Sequence, residues 1–159
     1  AALAAPALGE AGPTGDARCI GQPFVDPGYL WGRASATSVP YDASASAASN
    51  LGPTNPALLA RVRVQVAALR AAQPPGVDAG PVPVELVTTS GSGLDPNVSP
   101  SAARWQVPRI ARARALADAE VQAIVDAHVV PRLFGVFGEP VVDVLGVNRA
   151  LDARAGRAR

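Results

Sequence analysis

Thr88-Thr89-Ser90-Gly91-Ser92-Gly93-Leu94-Asp95-Pro96-Asn97-Val98-Ser99-Pro100 joins two segments of different texture. Before it runs Pro83-Val84-Glu85-Leu86-Val87, short and rich in β-branched residues, which predicts a strand. After it, Ser99 is a helix cap and Pro100 a favoured first helical residue, so a helix is expected to begin there. The connection itself is made of small and hydroxyl-bearing residues. Loops of this kind, held between ordered elements, are common sites of function. Three readings are open for it: a phosphate cradle, a serine nucleophile, or a purely structural turn.

Working outward, the Asn55-Pro56 pair repeats the capping device of Ser99-Pro100. Leu58, Val62, Val66 and Leu69 then recur at helical spacing, until Gln73-Pro74-Pro75-Gly76 stops the helix. Pro108 should kink or split the helix that begins at Pro100, near Gln106-Val107. Asp118 is the next expected cap, and Val121, Ile124, Val125 and His128 fall on one face of the helix behind it. Pro140 to Leu145 predicts another strand, Cys19 to Phe24 a shorter one, and Asn148 is expected to cap a brief closing helix through Leu151. Leu133-Phe134-Gly135-Val136-Phe137-Gly138 reads as an apolar turn. Tyr29-Leu30-Trp31 is the densest aromatic patch and a natural core anchor.

These elements amount to one α/β (α+β) domain, a small sheet flanked by three to four helices. Residues 1–18 are expected as a poorly ordered lead-in, with Ala1–Leu8 as either the remnant of a membrane anchor or the small-residue tail of a signal sequence. Residues 19–153 form the folded domain, and 154–159 a basic tail. The segment 32–56, rich in Gly, Ser, Ala, Asn and Pro, is longer than the structureless loops of compact domains usually are. It is therefore a candidate functional surface.

Composition narrows the chemistry. Fourteen basic residues against 13 acidic ones leave a net charge of +1, so there is no nucleic-acid footprint. All the basic residues are Arg; without Lys, a P-loop is excluded. One Cys and one His are too few soft ligands for a zinc site, and the acidic residues follow no calcium-loop pattern. Ser90-Gly91-Ser92-Gly93 lacks the Gly-x-Ser-x-Gly spacing of a nucleophile elbow. A triad of Ser92, His128 and Asp95 can be written down, but no spacing supports it. Asp95 would repel a phosphate in the loop. Turn chemistry fits best: Gly91 and Gly93 permit the path, while Asp95 and Ser99 satisfy nearby backbone N–H groups.

The same residues carry a resemblance. Ser49-Asn50-Leu51-Gly52-Pro53-Thr54-Asn55-Pro56, Thr88 to Pro96, and Gln106-Val107-Pro108-Arg109-Ile110-Ala111 are collinear with motifs of the KdpC family, the C subunit of the Kdp potassium-transporting P-type ATPase. Ile20-Gly21-Gln22 with Phe24, Arg33 with Ser35-Ala36-Thr37 and Tyr41, Gly138-Glu139-Pro140, and Asn148 with Ala150-Leu151-Asp152 extend the match from about Ile20 to Asp152. Departures are Ala34 in place of the usual Pro, Ala47-Ala48 in place of a Gly pair, and Val129 in place of a Thr. The family's membrane-spanning helix is represented at most by the first residues.

The resemblance implies an accessory, non-catalytic subunit of an ATP-driven potassium importer in the bacterial inner membrane. Its soluble domain would lie on the extracytoplasmic side. The implied partners are a channel-like potassium-translocating subunit, an ATP-hydrolysing P-type subunit and a small accessory subunit. The family role is that of a catalytic chaperone raising ATP affinity, with ATP and potassium entering only at the level of the complex. Gln22, Arg33, Ser35, Asn50, Asn55, Ser90, Ser92, Asp95, Gln106 and Arg109 are the motif residues expected to serve docking. The readings set beside it are a stand-alone phosphate or small-ligand binder, and a hydrolase using Ser92.

Overall fold

The computed structural model describes residues 19–157. The expected lead-in over 1–18, with its anchor remnant or signal tail, lies outside them, as does Arg159. Among the described residues, six helices surround a three-stranded antiparallel sheet ordered β1-β3-β2, the mixed α/β architecture expected.

Helix α1 (Pro56–Ala71) begins as its sequence dictates: the Asn55 side chain accepts from the Ala57 N–H, and Pro56 opens the first turn. Leu69 is buried, and Val62 and Val66 pack against the core. Helix α3 (Pro100–Trp105) is capped by Ser99, whose hydroxyl accepts from Ala102 N. Pro108 splits the helix as expected, so that α4 (Val107–Arg114) starts just past Gln106. Helix α5 (Asp118–Ala127) has Asp118 as its first helical residue and Ala117, not Asp118, at the cap. Glu120 reaches back to accept from the Ala117 N–H.

Two expected strands are absent. Cys19–Phe24 is not paired into the sheet; Gly21 N instead donates to Leu94 O. Pro83–Val87 holds a single helical turn, α2 (Val84–Val87). Leu86 and Val87 are consecutive and both buried, an arrangement that a strand's alternation would split between two faces. The turn also aims Glu85 at the start of α3, where its carboxylate accepts from Ser99 N and the Ser99 hydroxyl.

The strands are short: β1 (Asn97–Val98), β2 (Val129–Val130) and β3 (Val141–Asp143). Val142 is central, paired with Val98 on one side and Val129 on the other. The predicted strand to Leu145 ends at Asp143, where α6 (Val144–Arg157) begins. Val144, Val147 and Leu151 form its buried stripe at helical spacing. Asn148 is therefore not a cap but an interior helical residue, and Arg154 and Arg157 extend this helix rather than a separate tail.

Asn148 and Gln106 serve one segment. Asn148 Oδ1 accepts from Leu30 N at 2.7 Å and its Nδ2 donates to Leu30 O at 3.0 Å. Gln106 does the same for Trp31, accepting from its N–H at 2.9 Å and donating to its carbonyl at 3.0 Å. Two fully buried amide side chains thus take the place of a neighbouring strand and satisfy main-chain groups that burial would otherwise strand. Arg109 completes the clamp. Its guanidinium lies 3.7 Å over the Trp31 ring, donates to Gln106 Oε1 at 2.6 Å, and reaches the Pro27 carbonyl. Burial pushes Arg109 down to about 9, with Asp26 opposing the shift. Arg114, held to Asp152 at 2.8 Å, donates to Gly28 O beside it. The chain leaves this anchored segment directly into the 32–56 loop.

Candidate partner-docking face

The 32–56 and 88–96 loops are stitched into one surface. Ala34 and Thr89 form a parallel bridge. Arg33 spans the gap, 3.3 Å from Asp95 Oδ2 and 3.2 Å from the Thr89 carbonyl. Ser35 Oγ donates to Gly93 O at 2.7 Å, and Ala47 N donates to Ser92 O at 2.9 Å. Tyr41 closes the arch: its N–H donates to Ser35 Oγ at 3.1 Å and its hydroxyl to the Arg33 carbonyl. The 32–56 segment, expected as a structureless functional loop, is held in place by polar contacts rather than by secondary structure.

Gly93 is the tightest point of this seam. Its φ is +72°, and a Cβ there would lie 2.7 Å from the Ala47 carbonyl oxygen. Only glycine permits both the left-handed turn and the close approach of the two loops. The Ala47-Ala48 departure does no such harm, because the positive φ angles of the loop fall on Tyr41 and Asn50.

Burial sorts the expected docking residues. Asn50 and Ser92 are exposed, and Gln22, Arg33, Ser35, Asn55 and Asp95 are partly buried. Ser90 is buried, its hydroxyl accepting from Gly93 N inside the turn. Gln106 and Arg109 lie wholly inside, clamping the 27–31 segment, so their part in any surface is to hold its root. Asn55 is occupied with capping α1. Sequence reasoning missed Asn148 as a clamp, since its partner Leu30 is 118 residues away. Tyr41, with its left-handed backbone, belongs with the seam residues.

The Ser92, His128 and Asp95 side chains are each engaged elsewhere. Ser92 Oγ accepts from Leu94 N, His128 Nδ1 bonds the Ile124 carbonyl, and Asp95 holds Arg33 and the Asn97 N–H. No hydrogen bond among the described residues links the three. No group of three metal-ligating side chains occurs there either, and no helix among them is long and apolar enough to cross a membrane. Clefts of about 320 and 360 Å³ open beside Trp105 and beside His128, and neither is lined by the 88–96 loop.

The family description "KdpC: K+-transporting ATPase, c chain" matches residues 6–153, which includes both loops and both clamps. The chain belongs to the KdpC family. The potassium-transporting ATPase KdpC subunit of Sorangium cellulosum is 62% identical to it over 134 residues, 84% of this chain and 70% of that protein. Those of Paraburkholderia xenovorans and Burkholderia mallei are 56% and 57% identical over 137 and 136 residues, covering 70% and 69% of their lengths. Membership in the KdpC family ties the chain to potassium transport as a subunit of an ATPase complex.

The seam's electrostatics give a measurable signature. Burial, reinforced by Asp95, pushes the Tyr41 phenol up to about 12, against the opposing pull of Arg33. Tyr29 is also raised, by burial and by Asp152. These are the chain's two tyrosines. Phenolate absorbance of the native protein is therefore expected to lag behind that of the urea-unfolded chain, which titrates near ~10. A raised phenol pKa contributes stability that is complete below the unfolded value and is lost as pH climbs through the folded one. The Tyr41 contribution accordingly disappears between about 10 and about 12. Coincident native and unfolded titration curves would refute the part-buried placement of Tyr41 in the seam.

Proposed function

We propose that this chain is the accessory, non-catalytic subunit of an ATP-driven potassium importer, and that the face built from loops 32–56 and 88–96 docks on the channel-like, potassium-translocating subunit. The observation that carries this reading is the stitched seam from Arg33 to Asp95, which is preformed and polar and presents Asn50 and Ser92 outward. A preformed surface loses little conformational freedom on binding. Residues 19–153 are the docking domain in this account, lying on the extracytoplasmic side of the bacterial inner membrane.

The chaperone role fits an indirect route. A domain on that side does not reach the nucleotide bound by the ATP-hydrolysing P-type subunit. By holding one conformation of the channel-like subunit, it raises ATP affinity as a coupling free energy between distant sites, and nucleotide binding strengthens docking by the same factor.

Asn50→Trp and Ser92→Trp test the face, because both positions are exposed. Each is expected to abolish co-purification with the other subunits; the thermal midpoint of the isolated chain should stay within a few degrees of the parent for Ser92→Trp and fall somewhat further for Asn50→Trp, whose left-handed backbone (φ 51°) disfavours a bulky residue. Charge reversal at Arg33 or Asp95 should do the same with some loss of midpoint. Intact assembly of all four variants would refute the docking assignment.

A further inference from the structure

The cleft of about 320 Å³ beside Trp105 is no part of the docking face. Arg70 in the last turn of α1, Gln73 just past it, the loop from Val77 to Gly80, and Trp105 at the end of α3 line it. Two polar atoms of this lining are buried without a partner. Trp105 is 8% exposed, and its indole Nε1–H finds no acceptor among the described residues. A buried indole N–H usually has one. Trp31 does, donating from Nε1 to Asp26 O at 2.9 Å. Gln73 Oε1 is the second orphan. The orientation of its amide is fixed, because Nε2 donates to Trp105 O at 3.1 Å, a place the amide oxygen could not take. An unmet donor and an unmet acceptor thus stand on two bonded residues at one cleft.

The lining also carries one charge of each sign, Arg70 and Asp78, both exposed. The ion pairs among the described residues include neither of them. Asp78 Oδ1 accepts from Gly80 N at 2.9 Å, which sets the carboxylate in the loop, and Ala79 packs against the core. A balanced lining selects the charge of its ligand. A phosphate ester would be repelled by Asp78, and a polyamine by Arg70. A molecule with one carboxylate and one ammonium meets all four groups. Its carboxylate accepts from Arg70 and Trp105 Nε1, and its ammonium donates to Asp78 and Gln73 Oε1. The volume is at the low end for ligand pockets, so the molecule is compact. The two orphan atoms are covered in the chain alone, so entry needs a wall that yields. Residues 77–80 form no helix or strand, and Val77 is 41% exposed, which makes the loop that wall.

We propose that the Trp105 cleft is a binding site for a small zwitterion of the amino-acid type. The site is separate from loops 32–56 and 88–96, and it stands whether or not those loops dock on the channel-like subunit.

The test follows the two indole N–H signals of the isotope-labelled full chain by NMR as glycine or L-alanine is added, with Trp105→Phe identifying which signal is which. The Trp105 signal is expected to move saturably, with half-saturation at roughly millimolar concentration, while the Trp31 signal stays in place. Arg70→Gln and Asp78→Asn, both at exposed positions, should each weaken binding by about tenfold or more. Acetate and methylammonium each carry half of the zwitterion and should bind at least about tenfold more weakly than glycine. A Trp105 signal that neither amino acid moves overturns the proposal and leaves the two orphan atoms without a ligand. So does binding that both substitutions leave unchanged, or acetate that binds as tightly as glycine. None of these readouts involves another subunit, so a failure here and a failure of the docking assignment are distinguishable.

Discussion

Gln106→Leu is expected to lower the thermal midpoint by roughly 10 °C, followed by circular dichroism at neutral pH. The side chain is fully buried and makes four connections. It accepts from Trp31 N and from Arg109, and donates to Trp31 O and to Ala102 O. Leucine fills much of the same volume and makes none of them. Each main-chain group left unsatisfied in the interior costs about 1–3 kcal/mol. Arg109 fares worse, because Gln106 Oε1 is its one side-chain acceptor among the described residues and its Nε already has no partner. Breaking a buried polar contact to a charge costs more than the bond itself contributes. Together these give about 3–5 kcal/mol, a large part of the margin of a typical domain. A midpoint within about 3 °C of the parent would mean that the clamp is not closed in solution.

Gly93→Ala should separate the two loops while leaving the core intact. The new methyl group would sit at φ +72° and 2.7 Å from the Ala47 carbonyl oxygen, a main-chain atom that cannot swing aside. Left-handed strain contributes about 1–2 kcal/mol, and the overlap is relieved only by moving the 32–56 loop away. The contacts at risk are Ala47 N to Ser92 O and Ser35 Oγ to Gly93 O. Limited proteolysis between Ser38 and Asn50 should accelerate at least about tenfold, as a loop released from its contacts opens more often. Gly91→Ala is the matched control. A Cβ there meets nothing within 4 Å, so its cleavage rate and midpoint should equal the parent's. Equal protease sensitivity of the Gly91 and Gly93 variants would show that the seam does not hold the loop.

The parts of the fold legible in the sequence are those fixed by local chemistry. Asn55-Pro56 and Ser99-Pro100 start helices, and Pro108 divides one, because capping and a missing N–H act within a turn of the chain. The strands were harder. Each is two or three residues long, so no alternation has room to develop, and β3 passes straight into α6 at Val144. Pro83–Val87 misled because β-branched composition favours a strand, while the need to bury both Leu86 and Val87 and to aim Glu85 at Ser99 favours a helical turn. Tertiary packing overrode propensity there.

The candidate face was half legible. The Gly-Ser turn and the long polar loop each stand out in the sequence, and their internal turn bonds, such as Gly93 N to Ser90 Oγ, follow from residue type. That Arg33 meets Asp95 across 62 positions, or that Asn148 and Gln106 act as substitute strands for Leu30 and Trp31, has no local signature. Gln106 and Arg109 stood out as motif residues without any sign that they point inward. A polar residue in a helical stretch reads the same whether it faces water or a buried carbonyl.

Site-specific photo-crosslinking within the intact complex tests the docking account most directly. A photoreactive side chain is placed at Asn50, at Ser92, or at the exposed control positions Arg63 on α1 and Ala119 on α5. The expected result is a covalent product with the channel-like subunit from Asn50 and Ser92, and none from Arg63 or Ala119. Crosslinks from the two helices with silence from both loops would contradict it.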